Sequence, residues 1–308
     1  MRCAAKTGGK EHHSVRGGVR RGLLESMTLL WEKLRAFVAL VPRIGIMAQL
    51  QYMAIRRRSD PRCGMTGLWR IRLSNWPQPV VGRYGTSDLN VFRQIFIEQE
   101  HGWARLLGRL PDGALIIDCG ANVGYASIFF LRLFPNARVV AVEPDGDNFA
   151  VLEANLAHGH GRGQAIRAGI WSHKTRLRCS EERYRDGLEW SRQVQECAAD
   201  DPESFPAVSI GELLDESGAE EIALLKIDIE GAEAVVFGGD SCHQWLSRTG
   251  SLAIELHEDS SFGPVVDTFA QVMARQGFRL SSSGELTVAT RERTAGQHEA
   301  ALAAGTRR

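Results

Sequence analysis

The sequence has no uninterrupted apolar run long enough to cross a bilayer, no C-x-x-C pair and no paired histidines at metalloprotease spacing. Each absence removes a class. The uncharged stretch directly after Pro42-Arg43 runs from Ile44 to Ile55, well short of the ~20 residues a membrane helix needs. The six cysteines (Cys3, Cys63, Cys119, Cys179, Cys197, Cys242) are scattered, which gives no zinc-like pairing, so free thiols in a reducing, cytoplasmic setting are expected. His257-Glu258 does not continue to a second histidine, and no metal is expected. Nor is there a charge excess: 37 Lys and Arg balance 37 Asp and Glu, so nothing in the bulk balance calls for nucleic acid.

A secretory leader would place an apolar core directly after a basic start. Residues 1–21 carry Arg2, Lys6, Lys10, Arg16, Arg20 and Arg21 against Glu11, but the apolar stretch that follows is broken by Glu25, Glu32, Lys33 and Arg35. The expectation is a disordered basic N-terminus over 1–21 and a helical N-terminal extension over 22–79. Within it, residues 22–58 read as two helices separated at Pro42. Leu23, Met27, Leu30, Trp31, Leu34, Val38 and Val41 recur at three- and four-residue steps, the spacing of one helix face. Packing on the main domain is the plain expectation. Peripheral membrane contact through 22–58 stays open, because Arg56-Arg57-Arg58 follow an apolar segment.

From about residue 80 to 290 strand and helix alternate, the pattern of an α/β protein whose mainly parallel sheet carries helices on both faces. Strands are expected at 114–118, 138–143, near 164–169, at 222–228 and at 251–257. Helices are expected at 122–134, 148–157, 209–216, after Gly231 and at 265–276. A terminal hairpin turns at Ser283-Gly284, and 291–308 reads as a flexible tail.

Two strand ends carry the chemistry. Asp118-Cys119-Gly120-Ala121-Asn122-Val123-Gly124 lies between a strand and a helix, where an open α/β sheet binds its ligands. The next strand ends in Glu143-Pro144, nineteen residues after Gly124, at the point where a carboxylate can accept bonds from both hydroxyls of a ribose. A dinucleotide loop would read G-x-G-x-x-G and offer amides to a pyrophosphate. Here the middle glycine is missing and Asp118 would repel phosphate but could face a cationic amino group. S-adenosylmethionine is favoured over NAD on those electrostatics. Leu225 to Glu233 then places Asp228, Glu230 and Glu233 within six residues at a third strand end. Glu230 and Glu233 have a bland account, since they favour the positive end of the following helix. Asp228 ends an apolar strand and has none. At the fifth strand, Glu255 and His257 share a face. His257 either packs there or serves as a general base, given its near-neutral ordinary pKa.

These stretches resemble the FkbM family of S-adenosylmethionine-dependent methyltransferases over about residues 80–290. The resemblance is carried by Arg83-Tyr-Gly-Thr-Ser-Asp88 with Val91-Phe92, by Ile117 to Gly124, by Val142-Glu-Pro144, by Asn155, by the family-specific Lys226-Ile-Asp-Ile-Glu-Gly-Ala-Glu233, and by Glu255-Leu-His257. It implies a Rossmann-like, seven-stranded methyltransferase sheet and, most often, O-methylation of sugars, glycans or natural products. On that reading Asp118, Gly120, Asn122, Gly124, Glu143, Pro144 and Asp228 bind the cofactor. Asp228, His257 and Glu230 serve the acceptor side. The 180–206 insertion and the N-terminal helices lie outside the family motifs. Arg83 and Asp88 read at least as readily as an ion pair or helix cap as they do as substrate contacts, Trp171 as a core residue more readily than as an adenine neighbour, and Cys119 as a packing thiol. The rivals are a nicotinamide oxidoreductase, which the missing glycine disfavours, and a non-catalytic nucleoside-binding module. Oligomeric state and acceptor identity are not legible.

Overall fold

The computed structural model describes residues 43–157, 159, 161–179, 194–229, 231–257, 262 and 265–291. The expected disordered start (1–21), the amphipathic stretch to residue 42, the middle of the insertion (180–193), Glu230 and the tail after 291 lie outside the described residues.

A helix over Ile46–Arg58 (α1) precedes a hairpin of Leu68–Ile71 (β1) and Val80–Arg83 (β2), and a short helix, Asp88–Phe92 (α2), runs on into a π-helical turn, Arg93–Glu98. The main sheet opens with Leu115–Cys119 (β3), helix Tyr125–Leu133 (α3), Arg138–Val142 (β4), helix Gly146–Leu156 (α4) and Gly163–Ile166 (β5). Four short strands follow: Gly169–Ile170 (β6), Thr175–Cys179 (β7), Val194–Glu196 (β8) and Phe205–Val208 (β9). The chain re-enters the main sheet through Ile210–Ser217 (α5), Ile222–Ile227 (β10), Glu233–Phe237 (α6), Cys242–Ser247 (α7) and Ser251–Glu255 (β11). It closes with Val265–Arg275 (α8) and the hairpin Phe278–Ser283 (β12) and Leu286–Arg291 (β13).

The seven main strands lie in the order β12-β13-β11-β10-β3-β4-β5. β13 runs antiparallel to both neighbours and the other pairings are parallel. This is the expected Rossmann-like methyltransferase sheet. Its strand order reverses between β3 and β10, which opens a ligand crevice at their carboxyl ends. The period-2 geometry of strands divides the interior into two cores. Ile116, Val139, Ala141 and Leu224 pack with α3 and α4 on one face, and Leu115, Ile117, Val140 and Leu225 pack with α5 to α8 on the other. Local signals agree with these elements. Asp145 caps α4 by accepting from the amides of Asp147 and Asn148, and Ser209 with Glu212 forms a capping box on α5.

Two features depart from expectation. The extension is not helical throughout: Leu68 to Ile71 alternates exposed and buried residues and forms β1, with Trp69 and Ile71 turned inward. The ends of the insertion also pair into a second, four-stranded sheet in the order β6-β9-β7-β8. All of these strands are short, and none has the long alternation that makes a strand legible in sequence.

Asn155 on α4 joins the hairpin to the main sheet. Its side chain accepts from the Val81 amide at 2.8 Å and donates to the carbonyls of Val81 at 3.0 Å and Val123 at 2.7 Å. Asn155→Ala removes the side-chain partner of three buried backbone groups, of which the Val81 carbonyl keeps the Tyr125 hydroxyl at 2.9 Å, and is expected to destabilise the protein by roughly 2–4 kcal/mol. Urea denaturation checks this; a loss under about 1 kcal/mol would show the bridge to be dispensable.

Candidate active site

A cavity of about 270 Å³ opens at the carboxyl ends of β3, β4 and β10. Five of the expected cofactor residues line it: Gly120, Asn122, Glu143, Pro144 and Asp228. Its far wall comes from the second sheet, through Ile170, Cys179, Val194 and Phe205, residues that sequence reading did not single out.

The loop after β3 is drawn tightly onto β10. Gly120 has φ +72°, and a Cβ there would lie 1.7 Å from the Asp228 carbonyl oxygen, so no other residue fits. Gly124, at φ +85°, packs against Leu152 and is not on the cavity wall. Asn122 takes φ 50°, a left-handed conformation that asparagine tolerates better than most residues. The amides of Gly120 and Ala121 both donate to the Val142 carbonyl, at 3.0 and 2.9 Å, and the Asn122 amide donates to Glu143 Oε2 at 2.8 Å.

Glu143 is therefore fixed before any ligand arrives. Its Oε1 also accepts from the Asp145 amide at 3.1 Å, and Asn148 Nδ2 approaches at 3.5 Å. Burial raises its pKa to about 7 despite these bonds. Asn148 is in turn held by Arg83, whose guanidinium donates to Asn148 Oδ1 at 2.6 Å and grips the buried Asp88 carboxylate at 2.9 and 3.0 Å. The Arg83–Asp88 pair is thus a brace behind Glu143, not a cavity group.

Asp118 differs from expectation. It is fully buried beneath the loop and is not among the residues that line the cavity. Its Oδ2 accepts from Ser127 Oγ at 2.6 Å, and its Oδ1 lies 3.3 Å from Lys226 Nζ. The cationic partner that sequence reasoning assigned to a ligand is supplied by the chain itself. Lys226 Nζ also donates to the Gly120 carbonyl at 2.7 Å and sits 3.4 Å from Asp228 Oδ2. Burial works against the ammonium, but the carboxylates of Asp118 and Asp228 outweigh it and hold Lys226 protonated above its ordinary range. Sequence reading passed over Lys226, although a lysine inside an apolar strand between two carboxylate-bearing loops is itself a signal, since buried lysines are almost always paired.

His257 and Glu233 form a second buried arrangement. His257 Nδ1 lies 2.6 Å from Glu233 Oε1, and both side chains are inaccessible to solvent. The other ring nitrogen, Nε2, is 3.5 Å from Glu255 Oε1. Asp228, Glu255 and His257 bring an oxygen or nitrogen each within 4.8 Å of one another, so the acceptor-side residues of β10 and β11 do converge. Glu100, just past the π-helical turn, belongs to the same field: burial first, then the negative charges of Asp228 and Glu255, raise its pKa to about 6. Neither Glu100 nor the Glu233–His257 contact was legible, because both depend on segments far apart in sequence.

The remaining candidates take structural places. Trp171 is buried, donates to Glu196 Oε1 at 2.5 Å and is not on the cavity wall. Cys119 is fully buried, and burial pushes its thiol far up, so it packs and does not react.

A sequence model described as the methyltransferase FkbM domain matches residues 118–280. The methyltransferase sdnD of Sordaria araneosa is 26% identical over 212 residues, covering 59% of this chain and 79% of that protein. The AMB antimetabolite synthetase AmbE of Pseudomonas aeruginosa is 27% identical over 230 residues, covering 62% of this chain but only 10% of the synthetase. Among solved structures, the magnesium protoporphyrin IX methyltransferase of Synechocystis PCC 6803 aligns with a TM-score of 0.39 at 13% identity, covering 67% of this chain and 83% of that one. The precorrin-6y C5,15-methyltransferase of Geobacter metallireducens aligns with a TM-score of 0.36 at 13% identity, covering 63% and 88%. The family match spans more than half of the chain and runs from the end of β3 through β4, β10 and β11, with the cavity residues between them: the chain belongs to the FkbM family of methyltransferases.

Proposed function

We propose that the chain transfers a methyl group from S-adenosylmethionine to a hydroxyl of a small-molecule, sugar or glycan acceptor. The observation that carries this reading is the carboxylate of Glu143, held on the cavity wall beside a glycine loop that is sealed against β10. Such a group suits the paired hydroxyls of a ribose. Ile170 and Phe205 give an apolar surface for a planar base, and Gly120 leaves room for close backbone approach. The residues present fit that cofactor. They fit a dinucleotide poorly: the amides of Gly120, Ala121 and Asn122, which would cradle a pyrophosphate, are already spent on Val142 and Glu143.

When bound, S-adenosylmethionine supplies an electrophilic methyl on a sulfonium, open to in-line attack by an acceptor oxygen. The protein's part is positioning, exclusion of water and proton removal. Gly120, Asn122, Glu143 and Pro144 hold the nucleoside side, and Asp228 stands on the wall toward the acceptor. Asp118 and Gly124 act behind the wall, the first by anchoring Lys226 and the second by seating the loop on α4. His257 is the base of this reading, with Glu233 fixing its ring so that Nε2 faces Glu255 and the acceptor side. Glu230 stays a candidate for the same role.

Calorimetry with S-adenosylhomocysteine is expected to show binding, with none of NAD, and Glu143→Ala should weaken it by about 1.5–3 kcal/mol. NAD binding without the adenosyl ligand would overturn the assignment. The raised pKa of Glu143 adds a pH signature. The unfolded glutamate releases its proton near 4.5 and the folded one near 7. Glu100 adds a smaller fall of the same sign; the share of Glu143 in the stability of the free protein falls as pH rises between those values, by on the order of 3 kcal/mol, and is flat above them. Glu143→Gln should remove that slope in thermal melts across pH 4.5 to 8.

Transfer of a labelled methyl group to a panel of hydroxyl-bearing sugars tests the base. His257→Ala is expected to lower turnover about 10²–10⁴-fold with cofactor affinity nearly intact. Glu233→Gln should also lower turnover at unchanged affinity. Full activity of His257→Ala from pH 6 to 9 would pass the role to Asp228 or Glu230.

A further inference from the structure

The helix α1 is apolar on two sides. Its inner side, with Ala48, Tyr52 and Ile55, packs against the domain, where Tyr52 stacks on Phe92 with ring centroids 5.9 Å apart. Its outer side carries Ile46, Met47, Leu50 and Met53, each between 41% and 56% exposed. Ile46, Leu50 and Met53 follow one another at steps of four and three, so they form a stripe and not a scatter. A soluble surface helix ordinarily turns charge to water on that side. Here the stripe runs directly into the exposed Arg56, Arg57 and Arg58 of the last turn, while Arg62 beyond them is paired with Asp60 at 3.1 Å. Arg57 lies one helical turn past Met53. From Arg43 to Ser59 the sequence holds no Asp or Glu at all.

We propose that α1 docks the enzyme on an anionic lipid surface, lying in the plane of the interface with Ile46, Met47, Leu50 and Met53 inserted and the arginines on lipid phosphates. An apolar stripe flanked by arginine is what such a surface binds, through burial of the side chains and through charge. Among the described residues no helix is long and apolar enough to cross a membrane, and thirteen residues suffice only to lie on one. Charge argues against a second copy as the occupant. A two-fold contact presents the same patch from both sides, and each arginine cluster would face a helix with no carboxylate to receive it.

The test is co-sedimentation of the full chain with vesicles of phosphatidylcholine alone and with roughly one third phosphatidylglycerol. The wild type should sediment with the anionic vesicles only, and less so as salt rises. Leu50→Glu with Met53→Glu, and separately Arg56→Glu with Arg57→Glu, should each reduce binding on the order of tenfold or more. Arg56→Lys with Arg57→Lys should keep it. All these side chains are exposed, so unchanged melting curves will show that the variants fold. Three outcomes overturn the proposal: no binding to either vesicle, equal binding by the Leu50→Glu and Met53→Glu variant, or a wild-type dimer that this variant dissolves without any lipid binding.

Discussion

One buried ammonium organises the site. Lys226 lies near the end of β10, and its three contacts belong to three different parts of the crevice: the loop after β3 through the Gly120 carbonyl, the floor through Asp118, and the end of β10 through Asp228. Buried ions are costly to bring out of water, and they persist where geometry and additional bonds compensate. Here Ser127 also donates to the other oxygen of Asp118. With the ammonium in place, Gly120 can approach Asp228 more closely than any side chain allows. Without it, two acidic strand ends would face each other across the switch point and repel.

From that clamp the rest of the site follows outward. The loop it holds points the Asn122 amide at Glu143, and Glu143 is braced through Asn148 by the Arg83–Asp88 pair. Three conspicuous sequence segments, around residues 83–88, 118–124 and 142–148, thus form a single polar relay at the cavity wall. Gly120, Asn122, Glu143 and Asn148 face the ligand space, and Arg83 and Asp88 stand behind them. At the ends of β10 and β11 the logic is the same: a fully buried glutamate, Glu233, fixes the His257 ring, whose far edge meets Glu255.

How much of this was legible in the sequence depends on the length of the signal. The five parallel strands and their helices were visible because each is a long apolar run or an amphipathic period bounded by glycine, proline or a cap. Glu143 and the glycine loop were visible because their position relative to strand ends is fixed by the fold. Asp118 was placed correctly on its strand but given the wrong partner, since no local pattern states that a lysine more than a hundred residues away will arrive beside it. The strands β6 to β9 are too short to show alternation, and the pairing of Glu233 with His257 joins a helix to a strand end that are adjacent only in three dimensions. Contacts of that kind are written in topology and not in spacing.

The clamp also has a consequence for the order in which the molecule is made. Lys226 and Gly120 are 106 positions apart, so the loop they close is among the costlier ones to form, and it cannot close before β10 has docked on β3. A nascent chain emerging from the ribosome can pair β3 with β4 while β10 is still unsynthesised. At that moment Asp118 sits at the head of an apolar strand with no cation beside it, and protonation or residual hydration must keep it tolerable. The arrival of Lys226 removes that penalty, adds the central strand and shapes the cofactor loop in one event. Docking of β10 is therefore also the step that closes the cavity, because Asp228, Ile229 and Ala232 complete a wall whose other residues all precede them in the chain.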